Sequence, residues 1–130
     1  MIAYRKRHPI IRKKLPDAVC GMAAIHTHDI IADRTEIPKD ARTFGVCFAG
    51  YDCERGADDI TYMVVNAYWE DVTVTLPNPR NAGTWFLSVN TYGDEQDRYF
   101  YPEDKEIRID GVFVMRPRSV AVFTIKRDSV

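Results

Sequence analysis

The stretch Asp59-Ile60-Thr61-Tyr62-Met63-Val64-Val65-Asn66-Ala67-Tyr68-Trp69-Glu70-Asp71-Val72-Thr73-Val74-Thr75-Leu76-Pro77 decides the fold class. From Ile60 to Trp69 nearly every residue is β-branched, aromatic or apolar, which suits a pleated sheet and not a helix. Glu70-Asp71 reads as a two-residue turn. Val72, Val74 and Leu76 then alternate with Thr73 and Thr75, giving a strand with one dry face and one wet face. Pro77 has no N–H for a ladder, so the strand is expected to stop there. The stretch is predicted to be a β-hairpin whose first strand, apolar on both faces, lies at the centre of a sheet.

Working outward, the same period of two recurs. Arg42 to Ala49 reads as a strand closed by Gly50-Tyr51-Asp52. Asn78 to Gly83 is a turn cluster, and Thr84 to Tyr92 is a strand in which Trp85, Leu87 and Val89 oppose Phe86, Ser88 and Asn90. Gly93 to Lys105 is a polar loop carrying Tyr99, Phe100 and Tyr101. Glu106 to Asp110 and Val112 to Met115 read as a second hairpin about Asp110-Gly111, the strongest turn signal in the chain. Arg116-Pro117 breaks the pattern, and Ser119 to Ile125 is the last strand. About seven short strands joined by turns predict an all-β fold, an antiparallel β-sandwich of Greek-key type.

Before residue 42 the pattern differs. Residues 1–14 read as helical, with Pro9 disfavouring the α conformation at His8. No capping residue opens that helix, so it reads as the end of an element that begins upstream. Residues 15–41, punctuated by Pro16, Gly21 and Pro38, read as a connection with short extended pieces. The expected organisation is therefore a helical remnant at 1–14, a connecting segment at 15–41 and a β domain at 42–130. His26 and His28 share a face if extended, a spacing that suits zinc or copper. No second ligand pair accompanies them, so they are read as ordinary histidines and no metal or cofactor is expected.

At 130 residues, 45% of them hydrophobic, the chain has one domain's worth of core. Its net charge of −1 is uneven: residues 1–14 hold six basic residues and no acid, leaving 12 basic and 19 acidic groups beyond them. A basic arm suggests nucleic acid or an anionic membrane, yet no nucleic-acid motif accompanies it and neither partner is expected. Cys20, Cys47 and Cys53 cannot all pair. They are read as free thiols of a reducing, cytoplasmic setting, with a Cys47–Cys53 bridge as the alternative. No apolar run is long enough to cross a bilayer and no signal peptide is apparent.

Catalytic patterns are missing. The acids fall in turn-like pairs, Asp58-Asp59, Glu70-Asp71, Asp94-Glu95 and Glu103-Asp104, and are read as solvated. Ser88, Ser119 and Ser129 lack a nucleophile-elbow context, and no glycine-rich phosphate loop exists. The aromatics carry more. Tyr68, Trp69, Tyr99 and Tyr101 are candidate contacts for sugar rings, whose C–H faces fit flat aromatic faces. Trp85 is assigned to the core, while Trp69 divides evenly between core and surface.

Both ends of the chain carry a resemblance. Ile2-Ala3-Tyr4-Arg5-Lys6-Arg7-His8-Pro9-Ile10-Ile11-Arg12 resembles the last barrel helix and exit of the α-amylase superfamily (glycoside hydrolase family thirteen). Arg116-Pro117-Arg118-Ser119-Val120-Ala121-Val122-Phe123 is similar to the strand ending that family's C-terminal β-sandwich. Between them, Tyr62 to Trp69 and Val72 to Pro77 resemble its Asn-bearing central pair, and Trp85 to Thr91 its Trp-to-Asp-Thr strand, with Asn90 in place of the Asp. Isoamylase- and pullulanase-type debranching enzymes are the nearest in pattern.

The resemblance implies a non-catalytic C-terminal domain whose partner is the parent chain's (β/α)8 barrel, with α-glucan as a further contact. The family's reacting carboxylates sit at the ends of barrel strands, so no residue here inherits a catalytic role and the fragment itself is not expected to be an enzyme. Two other functions compete with this one: an autonomous carbohydrate-binding sandwich, and an adaptor using the basic arm.

Overall fold

The computed structural model describes residues 8, 10, 15, 16, 18, 25–28, 42–54, 56–77, 83–92 and 106–126. The expected helix at 1–14 falls almost wholly outside them, as do the loop at 93–105 with Tyr99 and Tyr101, and the turn at 78–82. The described residues are all-β and contain no α-helix. Among the described residues there are eight strands: β1 (Ile25–His28), β2 (Thr43–Asp52), β3 (Ala57–Asn66), β4 (Val72–Thr75), β5 (Thr84–Asn90), β6 (Ile107–Ile109), β7 (Val112–Met115) and β8 (Ser119–Lys126). Six form one antiparallel sheet in the order β1-β2-β3-β8-β5-β6, and β4 and β7 form a separate antiparallel pair.

The strand from the deciding stretch takes the central position expected of it, between β2 and β8. The hairpin does not form. β3 has one edge on β2, from Thr43↔Asn66 to Asp52↔Ala57, and the other on β8, from Thr61↔Thr124 to Asn66↔Ser119. With both edges filled, β4 has no partner there and crosses to β7. The second expected hairpin fails in the same way: β6 pairs with β5, while β7 leaves for β4. Gly111 (φ 88°) does turn the chain as its sequence predicts, but the turn leads from one sheet to the other. Its carbonyl accepts from Leu76 N at 2.8 Å, tying the two crossings together.

The true local hairpin joins β2 to β3. Gly50, Tyr51 and Asp52, expected to turn, continue β2, and the chain reverses between Asp52 and Ala57. Asp52 holds that turn, its carbonyl accepting from Gly56 N at 2.8 Å and its Oδ1 from Glu54 N at 3.1 Å. Part of the region read as connection is β1, which pairs with β2 from Ile25↔Phe48 to His28↔Gly45.

The two sheets share one core. Ile60, Tyr62 and Val64 of β3, Trp85 and Leu87 of β5, and Ala121, Phe123 and Ile125 of β8 meet Val74 of β4 and Met115 of β7. Tyr62, only 1% exposed, lies 5.9 Å from the Trp85 ring centroid and 6.5 Å from that of Phe123. Phe113 from the small sheet meets Phe123 edge-on at 5.2 Å. Trp85 is 2% exposed and donates from Nε1 to the Pro77 carbonyl at 2.8 Å, so the core placement expected of it holds. Burying these side chains supplies the main drive to fold, about 1.5–3 kcal/mol for each large one.

Strict alternation fails in β5. The register with β8 slips between Leu87 and Val89. This bulge sends Leu87 to the shared core and Val89 to the reverse face, against Val122 and Met63. Ser88, at the slip, is buried and bonds Thr124 Oγ1 at 2.7 Å and the Glu106 carboxylate, which Lys126 Nζ approaches at 2.7 Å.

Candidate functional site

Asn66, the last residue of β3, is buried and uses both ends of its amide. Its Oδ1 accepts from Thr43 Oγ1 at 2.8 Å and Tyr68 N at 3.0 Å. Its Nδ2 donates to the Glu70 carbonyl at 3.2 Å and the Arg116 carbonyl at 3.1 Å, with Met115 O at 3.5 Å. One side chain thus fixes the start of β2, the β3–β4 crossing and the end of β7. The self-bonding of Asn to the backbone two residues on is what makes this a sharp departure and not a ladder continuation. Arg118 N also donates to the Tyr68 carbonyl at 3.1 Å, so Tyr68 is held at both its N–H and its C=O.

On this rigid end of the molecule stands an aromatic group. Tyr68 and Trp69 stack with centroids 4.5 Å apart and planes 26° from parallel. The Arg42 guanidinium carbon lies 5.5 Å from the Tyr68 centroid and 5.3 Å from that of Trp69, within cation–π range. Trp69 is 59% exposed, which settles its even division in favour of the surface. Two residues on in sequence, Asp71 Oδ2 pairs with Arg116 Nη1 at 3.2 Å; Arg116 Nη2 donates to the Tyr92 hydroxyl at 3.3 Å, and its guanidinium carbon lies 4.8 Å from the Tyr92 ring centroid. The hydrogen bond donated to Tyr92 and then the Asp71 charge hold the Arg116 guanidinium still more firmly protonated than usual.

Of the sequence-predicted sugar contacts, Tyr68 and Trp69 therefore sit together, while Tyr99 and Tyr101 lie outside the described residues. Arg42, Asp71, Tyr92 and Arg116 are not among those candidates. Asp71 follows Trp69 by two residues, while Arg42, Tyr92 and Arg116 come from separate places in the chain brought together by strand pairing, and no local pattern marks them. These residues offer flat aromatic faces and a guanidinium–carboxylate pair, and no nucleophile–base pairing accompanies them among the described residues.

A second polar site lies at the far end of β3. Asp59 is 2% exposed, with Oδ1 2.7 Å from His8 Nδ1 and Oδ2 accepting from Ile10 N at 3.1 Å. The expectation that Asp58-Asp59 is a solvated turn pair fails for Asp59, which lies within β3 and faces away from the shared core. Its position immediately before the apolar run that starts at Ile60 was the available signal. Gly50, its partner in β2, leaves room for the N-terminal segment: a Cβ there would stand 2.7 Å from Leu15 Cβ and 2.8 Å from Ile10 Cδ1. Tyr51 N donates to the Pro16 carbonyl at 2.8 Å.

Cys47 is buried and Cys53 exposed, and the alternative bridge between them does not form. Among the described residues no group of three or more His, Cys, Asp or Glu could hold a metal ion, and no helix is long and apolar enough to cross a membrane. No protein-family model matches the sequence, and no curated protein matches it.

Proposed function

We propose that this chain is the non-catalytic C-terminal β-sandwich of an α-amylase-superfamily enzyme of the glycogen-debranching type, a domain that stabilises the catalytic barrel and contacts α-glucan. In this reading the two-stranded and six-stranded sheets are the layers of the sandwich, and β3-β8-β5 adjacency reflects Greek-key connection. The supporting observation is the anchor of His8 on Asp59. The family resemblance of the first residues centres on His8-Pro9, and the pair fixes that His into the β domain. A segment arriving from a barrel would be locked at this point to the sheet it enters. The chain would work in the cytoplasm, with Cys47 and Cys53 kept reduced.

The test is the size of the native polypeptide. An antibody raised against residues 42–126 is expected to detect, in cells of the source organism, a protein several times larger than 15.0 kDa. A native band at 15.0 kDa would end the reading and leave the autonomous carbohydrate-binding module, favoured by the exposure of Trp69.

A further inference from the structure

We infer that the surface formed by Trp69, Tyr68, Arg42, Asp71, Arg116 and Tyr92 is a binding site for a pyranose chain. The α-linked choice of chain rests on the family reading above, whereas the pyranose class rests on the geometry alone. Trp69 leaves 59% of itself in water although the protein has a core that accepts its other tryptophan. An indole kept outside on a fixed support has an apolar face ready for a partner. The support is fixed three times over: Trp69 stacks on Tyr68, Arg42 lies over both rings, and Tyr68 is hydrogen-bonded at its N–H and C=O. Such preorganisation lowers the entropy lost on binding.

The polar groups select the ligand class. Asp71 and Arg116 supply acceptor and donor groups of fork geometry side by side, the complement of vicinal hydroxyls. Tyr92, 46% exposed, adds a further ring against Arg116, so the polar pair has an aromatic face in contact with it as well as the Tyr68–Trp69 stack nearby in sequence. Two stations favour a chain over a single sugar. Single-stranded nucleic acid also uses aromatic and arginine groups, but here the Arg116 charge is met by Asp71, and Glu70 adds a further acid next to Trp69. A phosphate backbone would meet repulsion where a neutral sugar would not.

The experiment is a titration of the 130-residue chain with maltohexaose and, separately, cellohexaose, followed by tryptophan fluorescence and by calorimetry. Trp85 is buried with its N–H engaged, so a change reports Trp69. The site predicts a saturable change, insensitive to salt, tighter for the hexamer than for maltose. It also predicts weakening by about tenfold or more in Trp69→Ala, recovery in Trp69→Phe, and a smaller loss in Arg116→Ala. Retained near-ultraviolet dichroism from Trp85 and Tyr62 verifies that each variant is folded. Binding of cellohexaose alone would uphold the site while removing the α-glucan assignment, and so would count against the family reading independently. Flat titrations with both sugars overturn the proposal. Salt-sensitive binding of an oligothymidylate that depends on Trp69, in place of sugar binding, also overturns it.

Discussion

His8 Nδ1 sits 2.7 Å from Asp59 Oδ1 across 51 residues of sequence, with both side chains almost fully buried. Because Asp59 Oδ2 also accepts from Ile10 N, the carboxylate holds the incoming segment by side chain and by backbone at once. Replacing Asp59 with Ala is expected to cost about 2–4 kcal/mol, since it removes a buried carboxylate bonded at once to an imidazole and an amide N–H. His8→Ala should cost less, because Asp59 keeps its bond from Ile10. Urea denaturation of both single variants and the double variant gives the test. The double variant is expected to lose less than the sum, with coupling above about 0.5 kcal/mol; strict additivity would mean the pair is not an interacting unit.

Gly50 gives a second handle on the same junction. Gly50→Val places atoms where Leu15 and Ile10 already lie, an overpacking expected to cost about 1–3 kcal/mol. The release of the segment should show as faster tryptic cleavage at Arg12-Lys13-Lys14 under conditions where residues 42–126 stay intact. Unchanged cleavage would show that the packing at Gly50 does not hold the segment.

Asn66 tests the crossing between sheets. Asn66→Asp keeps the shape but turns the Nδ2 donor into an acceptor facing the Glu70, Met115 and Arg116 carbonyls. It is expected to destabilise by about 3 kcal/mol or more, several hydrogen bonds' worth plus repulsion. Thr43→Val, which removes a single bond to Oδ1, should cost about 1 kcal/mol. Thermal or urea unfolding ranks the two, and equal losses would contradict the role given to the amide.

Much of this was legible in the residues, and the failures share one cause. The apolar run around Tyr62 and Val64 announces a central strand, and the Trp85 strand announces a core face, because burial on one or both faces is written locally. Pairing partners are not. Nothing near Glu70-Asp71 says that both edges of β3 are taken by β2 and β8, so a two-residue turn between strand-like runs reads as a hairpin when it is a crossing. Asp110-Gly111 gives the same false reading for the same reason. The bulge at Ser88 reverses Val89 without any glycine to mark it. At the candidate site only Tyr68 and Trp69 are neighbours in sequence; Arg42, Tyr92 and Arg116 reach them through register.

Tyr62 carries the pH dependence. Burial first, and Cys47 second, push its phenol well above the ordinary value of 10.0. The neutral form is thus favoured in the folded chain, and the unfolded chain releases the proton at lower pH. Stability is fully present below about pH 10 and is lost as pH rises toward the folded value. Urea midpoints measured from pH 8 to 11.5 should fall at the alkaline end, and Tyr62→Phe should flatten that fall. A wild-type curve no steeper than that of the variant would contradict the burial effect.

The central claim is that this β domain belongs to a glucan-cutting polypeptide. It is tested most directly by immunoprecipitation from native extract with an antibody against residues 42–126, followed by assay of the beads on a branched α-glucan. The account predicts that debranching activity is recovered on the beads with a polypeptide far larger than 15.0 kDa. Beads that carry the chain and release no sugar or linear glucan would contradict it.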